Sequence, residues 1–175
     1  MVYTDGYASP LGEMTIASGD GVIIGLWFDG QKHFGNSLPE EYSRGETPAI
    51  KDAKRWLDIY FSGREPEFLP PLHYGSTPFR KLVCDIMLSI PYGKTRTYGD
   101  IAKEAAEIQG VEKIAAQAVG DAVGNNPILL MIPCHRVIGA NGSLTGYGGG
   151  MQRKIKLLEM EKRVKSGERG VLSEE

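Results

Sequence analysis

In this chain of 175 residues a thiol, an imidazole and a glycine-rich run come together in one place. Ile132-Pro133-Cys134-His135-Arg136-Val137 sets a cysteine beside a histidine, with Asn125-Asn126-Pro127 just before it and Gly146-Tyr147-Gly148-Gly149-Gly150 just after. Pro133 continues neither a ladder nor a helix, so the apolar run 128–132 must stop and turn there, displaying Cys134 and His135 at its end. Adjacent residues point apart in a strand and lie about 100° apart on a helix, so the two side chains meet only in a turn or through a bridging water. An imidazole that takes the thiol's proton leaves thiolate, which is the nucleophile. A cysteine and a histidine packed in a turn for shape is the commoner arrangement for an isolated pair. The glycine-rich run downstream favours chemistry.

Only two cysteines occur, and no CxxC or HxxxH spacing accompanies them, which argues against a disulfide framework and a structural zinc. Cys84 falls on an apolar helical face and reads as inert filler. The apolar runs 22–28 and 128–132 fall far short of the ~20 residues that span a bilayer, and residues 1–9 have neither a basic start nor an apolar core. A cytoplasmic protein with no membrane partner is the expectation. A hydrophobic content of 41% suffices for an ordinary core without staples. The net charge of -2 hides an asymmetry: residues 1–75 hold six Lys/Arg against eleven Asp/Glu, residues 76–175 fourteen against eleven. An anionic partner would meet the second half, although so small an excess also fits an ordinary solvated surface.

The elements that must position the thiol follow from periodicity. Segments 14–18 and 22–28 are β-rich and joined by Gly19-Asp20-Gly21, a hairpin signal. Residues 48–61 read as a helix with Ile50, Ala53, Trp56, Leu57 and Tyr60 on one face and Gly63 beyond its end. The stretch 65–74, stiffened by Pro66, Pro70 and Pro71, reads as an extended linker, which divides the chain into an α/β domain of residues 1–72 and a second domain of residues 73–175. Thr77 and Pro78 open a helix with Phe79, Leu82, Val83, Ile86, Met87 and Ile90 inward. Thr97 and Asp100 resemble an aspartate version of the capping box, opening a helix to about residue 108. A further helix is expected over 112–123. Two short helices joined by a glycine-containing turn make a helix-turn-helix, and an ordinary helical hairpin fits the same pattern.

The last of those helices has two unlike faces. Ile114, Ala115, Ala118, Val119, Ala122 and Val123 form an apolar stripe, leaving Lys113, Ala116, Gln117, Gly120, Asp121 and Gly124 opposite. Ala116, Gly120 and Gly124 lie four apart, which lowers helix stability yet admits something close to the backbone. Either a nucleic-acid groove or another helix fits there, and Asp121 on that face disfavours a phosphate backbone.

Further motifs run the length of the chain: Ser9-Pro10-Leu11-Gly12, Thr77-Pro78-Phe79, Ile90-Pro91-Tyr92-Gly93, Thr97-Tyr98, Ala118-Val119-Gly120, Asn126-Pro127, the block from Pro133 to Ile138, Gly146-Tyr147 with Gly149-Gly150, and Leu157-Leu158 with Glu161. In these motifs, and in their order over nearly the whole chain, it resembles the O6-alkylguanine-DNA alkyltransferases, a family of DNA repair proteins. The resemblance implies an α/β N-terminal domain of small sheet plus helix, then a mainly helical domain bearing the helix-turn-helix and the active-site cysteine turn. It also implies irreversible, single-turnover transfer of an alkyl group from O6 of guanine, with O4 of thymine as a second candidate, to Cys134, without a cofactor. His135 would deprotonate Cys134 through a water, Glu161 would orient His135, and Asn126 would hold the turn. The partner would be double-stranded DNA containing O6-alkylguanine, bound by a monomer, with the nucleotide extruded into a pocket. Tyr98 would rotate the phosphate and hydrogen-bond the flipped base, and Tyr147 with the backbone of Val137 and Gly148 would line the pocket. The bare face with Ala116, Gln117 and Gly120 would enter the minor groove.

One departure matters. The family usually carries an arginine where this chain has Gln117, and a neutral amide lacks the guanidinium's charge and stacking plane. Two other readings carry weight: a non-catalytic relative that recognises alkylguanine, disfavoured because Cys134 is present, and a Cys-His hydrolase, which leaves the helix-turn-helix unexplained. His33 and His73 read as surface residues, Trp27 and Trp56 as core, and the basic stretch 162–169 as a solvated, partly disordered end.

Overall fold

The computed structural model describes residues 1–144 and 146–165. Three strands run as an antiparallel meander, β1 (Val2–Ser9), β2 (Gly12–Gly19) and β3 (Val22–Phe28), and a two-residue β4 (Ser43–Arg44) lies parallel to β1, giving the order β3-β2-β1-β4. The β2–β3 hairpin turns on Asp20 and Gly21, both at positive φ (51° and 81°), the mirror-image turn whose twist matches that of the strands. α1 (Pro48–Phe61) starts under a Thr47 cap and buries Ile50, Ala53, Trp56, Leu57 and Tyr60, as its periodicity requires.

The second half is helical. It contains α2 (Pro78–Leu88), α3 (Tyr98–Gln109), α4 (Ala116–Gly124) and α5 (Met151–Lys165), with β5 (Arg96–Thr97) pairing in parallel with β6 (Val137–Ile138). Thr97 and Asp100 form the reciprocal capping box at the start of α3, which ends on Gly110 at φ 68°. One buried cluster joins Ile16 and Leu26 of the sheet, Leu57 of α1, Val83 of α2, Ile128 and Ile132 of the approach to Cys134, and Leu157 of α5.

What registers the two halves is the open edge of β3. An edge strand presents unpaired N–H and C=O groups, and here those of two residues are used. Ile23 donates to the Pro71 carbonyl and accepts from His73, while Leu26 donates to the Pro127 carbonyl and accepts from Leu129, all at 2.9 Å. The proline-rich stretch 65–74 is therefore extended, as its composition requires, but at Pro71 and His73 it is docked on the sheet. The chain leading into Cys134 is anchored to the same strand.

The structure corrects several expectations. α4 begins at Ala116, four residues later than the expected helix: Gly110 ends α3, and Val111, Glu112 and Lys113 are exposed, so burial supports no earlier turn. Its buried stripe narrows to Val119, Ala122 and Val123, with Ala115 and Ala118 exposed. β1 and α5 are additional to the elements read from the sequence. β1 buries only Thr4, and the inward face of α5 includes Lys154 and Glu161. The basic stretch 162–169 is helical through Lys165, and its remainder lies outside the described residues.

Candidate active site

Backbone geometry at Pro133 presents the thiol. Pro133 stands at φ −80°, ψ 64°, and the next three residues, Cys134–Arg136, close a single tight 3-10 turn. Asn126 secures the approach: its Nδ2 donates to the Ile132 carbonyl (2.9 Å) and its Oδ1 accepts from the Ile128 amide (3.0 Å). A side-chain amide offers both a donor and an acceptor, so one residue closes the loop at both ends. Leu130, inside this loop, holds φ 69°, which is uncommon for a branched residue and sustained here by full burial.

Behind the thiol lies a buried network centred on Glu161. Its Oε2 lies 2.6 Å from His135 Nε2 and accepts from the Tyr60 hydroxyl at 2.6 Å, while its Oε1 accepts from Arg136 Nε (2.8 Å) and the Gly93 amide (3.1 Å). Arg136 also donates from Nη1 to the Ile90 carbonyl at 2.8 Å. Burial alone would raise the Glu161 carboxyl, but His135 and Arg136 outweigh it and hold the group well below the usual carboxylate range. A carboxylate only accepts, so the imidazole proton sits on Nε2 and Nδ1 carries the free lone pair. Nδ1 is buried and has no hydrogen-bond partner among the described residues, so the ring keeps one unengaged basic atom. Burial also pushes His135 itself down, so it rests neutral, while Glu161 favours the imidazolium that proton uptake would create.

The thiol is enclosed too, at 4% exposure. Burial pushes it up to about 11, against the opposing pull of the Asn126 side chain, the Lys154 ammonium and the amides of Cys134 and His135. Lys154 is fully buried and donates to the Val137 carbonyl. Burial disfavours its charge and Cys134 favours it, so a thiolate at 134 would be its natural counter-ion. Cys84 is buried in α2 and pushed up to about 12 by the same desolvation, which the cations of Lys81 and Arg80 only partly oppose.

The structure brings Cys134, His135, Glu161 and Asn126 into one buried cluster. Tyr98 opens α3 half-buried and is an electrostatic neighbour of Cys134; a side-chain carbon on Gly146, at φ 89°, would come 2.9 Å from its hydroxyl. Tyr147 is buried, its hydroxyl has no hydrogen-bond partner among the described residues, and it too neighbours Cys134 electrostatically. Gly120, Tyr147 and Gly148 line a hollow of about 280 Å³ together with Asp121, Gly124 and Lys32, so the bare face of α4 does look onto the glycine-rich loop. Ala116 and Gln117 are exposed at the start of α4 and do not line it. A roomier hollow of about 530 Å³, bordered by Leu38, Arg80 and Cys84, lies away from the Cys134–Glu161 network.

Four groups escaped the sequence: Tyr60, the Gly93 amide, Arg136 and Lys154. Tyr60 is indistinguishable from the other apolar residues of α1 by spacing. Lys154 did leave a signal: Lys154, Leu157 and Glu161 lie at i, i+3 and i+7, so two charges occupy core positions of one helix. Among the described residues no cluster of His, Cys, Asp or Glu has the makings of a metal site, and no helix is long and apolar enough to cross a membrane.

Comparison with known proteins agrees over most of the chain. The family model for the ribonuclease-like domain of 6-O-methylguanine DNA methyltransferase matches residues 2–74, and that for its DNA binding domain matches residues 78–163. A methylated-DNA-protein-cysteine methyltransferase of Mycobacterium leprae is 40% identical over 166 residues, covering 93% of each chain. Its namesake in Mycobacterium tuberculosis is 42% identical over 160 residues, covering 88% of each. The crystal structure of Mycobacterium tuberculosis OGT in complex with DNA superposes with a TM-score of 0.82 at 37% identity, covering 98% of this chain and 96% of that one. With fold, cysteine turn and both family models in agreement, this chain belongs to the 6-O-methylguanine DNA methyltransferase family.

Proposed function

We propose that this protein repairs duplex DNA by moving an alkyl group from O6 of guanine onto the sulfur of Cys134, once per molecule. The observation that carries this reading is the unengaged Nδ1 of His135, paired with an Nε2 that Glu161 holds fixed. With Glu161 anchored by Arg136, Tyr60 and Gly93, the imidazole is held in the tautomer that leaves Nδ1 to accept a proton. The thiol proton passes through one water to Nδ1, and the sulfur gains charge beside the Lys154 ammonium. The sulfur then attacks the saturated alkyl carbon. The S–C bond forms as the C–O6 bond breaks, guanine departs with the C–O electron pair, and the proton ends on the restored base. No step regenerates the thiol, so the protein is consumed.

The target carbon is inaccessible in stacked duplex. Extruding the nucleotide costs a few kcal/mol, offset by contacts in the pocket. α4 enters the minor groove with Ala116, Gln117 and Gly120 toward the DNA, where the lack of bulk on that face lets the groove approach the backbone. Tyr98 turns the phosphate and contacts the base, Tyr147 flanks it, and the Val137 carbonyl and Gly148 amide read its edge; a carbonyl has two lone pairs, so the Lys154 bond leaves Val137 one to offer. The two domains divide near residue 72, and the cytoplasm, which keeps thiols reduced, is the place where Cys134 stays competent. Mass analysis after exposure to an O6-methylguanine duplex tests the reading. One methyl on Cys134 is the expected result, and an unmodified Cys134 in folded protein overturns it.

A further inference from the structure

The run from Gly146 to Gly150 borders the proposed substrate pocket, and its support comes from the N-terminal sheet through one side chain of α5. Arg153 donates from Nε to the Leu11 carbonyl (2.9 Å) and from Nη1 to the Gly149 carbonyl (3.0 Å), and its guanidinium carbon lies 4.2 Å from the Phe28 ring centroid. The Leu11-Gly12 turn is shaped around that group: a side-chain carbon on Gly12 would come 2.9 Å from Nη2. On the far side, a side-chain carbon on Gly149 would meet Tyr147 at 2.5 Å and Phe28 at 3.1 Å. Arg153 on α5 thus packs on Phe28 at the end of β3, and Gly149 is wedged between Phe28 and Tyr147. Tyr147 feels the charges of both Arg153 and Cys134, so this packed group ends beside the nucleophile.

We propose that Arg153 is a positioning residue for the substrate pocket: by tying Gly149 to Leu11 and Phe28 it makes the N-terminal sheet the pocket's back wall, fixes Tyr147, and limits the size of the alkyl group admitted. Arginine is required because a planar fork reaches two carbonyls while its face lies on an aromatic ring, whereas an ammonium offers no such plane. Nothing else in the chemistry calls on Arg153, since it touches neither Glu161 nor the cysteine turn by any hydrogen bond seen among the described residues.

This inference rests on the alkyl-transfer reading, and its test separates the two. Full-length Arg153→Met and wild type are compared in single-turnover transfer from duplex oligonucleotides carrying O6-methylguanine or O6-benzylguanine, with circular dichroism confirming the fold. A wall that yields costs the small substrate its positioning and relieves the bulky one, so the methyl rate is expected to fall about tenfold with a far smaller change for benzyl. Arg153→Lys should shift the ratio partway, and Phe28→Leu should shift it in the same direction without adding to Arg153→Met. A benzyl-to-methyl ratio unchanged within about twofold in folded Arg153→Met and Phe28→Leu overturns the proposal, whether both rates fall together or neither does. Absence of transfer in wild type overturns the alkyl-transfer reading itself.

Discussion

Glu161 and Gln117 serve the same proposed reaction and are held in opposite ways. Glu161 is fully enclosed and engaged by His135, Tyr60, Arg136 and Gly93, which come from three separate stretches of the chain. Gln117 is exposed on a nine-residue helix whose N-cap, Ala115, makes no side-chain capping bond. The difference follows from the two tasks. Proton transfer needs one tautomer and one orientation, and a buried network of charge-assisted bonds supplies both. Groove binding needs a bare, accessible face, and the cost is a helix of low intrinsic stability.

The strongest way to break this contrast is Glu161→Gln, which keeps the shape and removes the charge. Arg136, whose side chain is 11% exposed, would lose its counter-ion, and breaking a buried pair costs up to about 3–5 kcal/mol. Urea denaturation at pH 7 measures it, and a loss under about 1 kcal/mol would show the network to be dispensable. The pH dependence gives the sign independently. The folded pKa of Glu161 lies below the unfolded one, so its contribution is complete above the unfolded value of about 4.3 and drains away as the pH falls below it. The variant should therefore lose less stability on acidification than wild type does.

His135→Gln addresses the chemistry with little change in volume. Transfer at pH 7.5 should slow by about 100-fold, the low end for removing a general base. The thiol, pushed up to about 11, is protonated below that pH, so in the variant the thiolate fraction and the rate should climb about tenfold per pH unit toward 11. Single-turnover rates between pH 7 and 10 check this. A variant profile as shallow as that of wild type would remove His135 from the proton path.

Asn126→Ala should be milder. It strips the Ile132 carbonyl and the Ile128 amide of their buried partner, worth about 1–3 kcal/mol, and loosens the turn that presents the thiol. Thermal unfolding reads the first effect and the transfer rate the second. Loss of stability with transfer intact would reduce Asn126 to a loop anchor.

The same contrast governs what the sequence could reveal. Local signals were legible: the Asp20-Gly21 turn, the caps at Thr77 and Thr97, the run of α1, and the stop at Pro133 all depend on neighbours in the chain. The network around Glu161 was only partly so. Cys134 and His135 announce themselves by adjacency, but Tyr60 lies 75 residues from His135 and looks like any core aromatic until the fold joins them. The docking of Pro71 and Pro127 on β3 is a backbone matter with no side-chain signature. The start of α4 was misjudged because apolar spacing continues through Ile114 and Ala115, while Val111, Glu112 and Lys113, exposed beyond Gly110, give an earlier helical turn nothing to pack on.

The smallest effect expected is also the one that tests the bare face. Gln117→Arg supplies the charge and stacking plane that a neutral amide lacks, without touching the buried network. One added cationic contact should steepen the dependence of log Kd on log salt by about one unit and tighten binding to an abasic or O6-methylguanine duplex severalfold at 0.15 M salt. Asp121 lies one helical turn farther along the same face and would draw on the new guanidinium. The gain should therefore grow when Gln117→Arg is combined with Asp121→Asn, beyond what the two changes give separately. Unchanged or weaker binding in both variants would mean that α4 does not meet the duplex through this face.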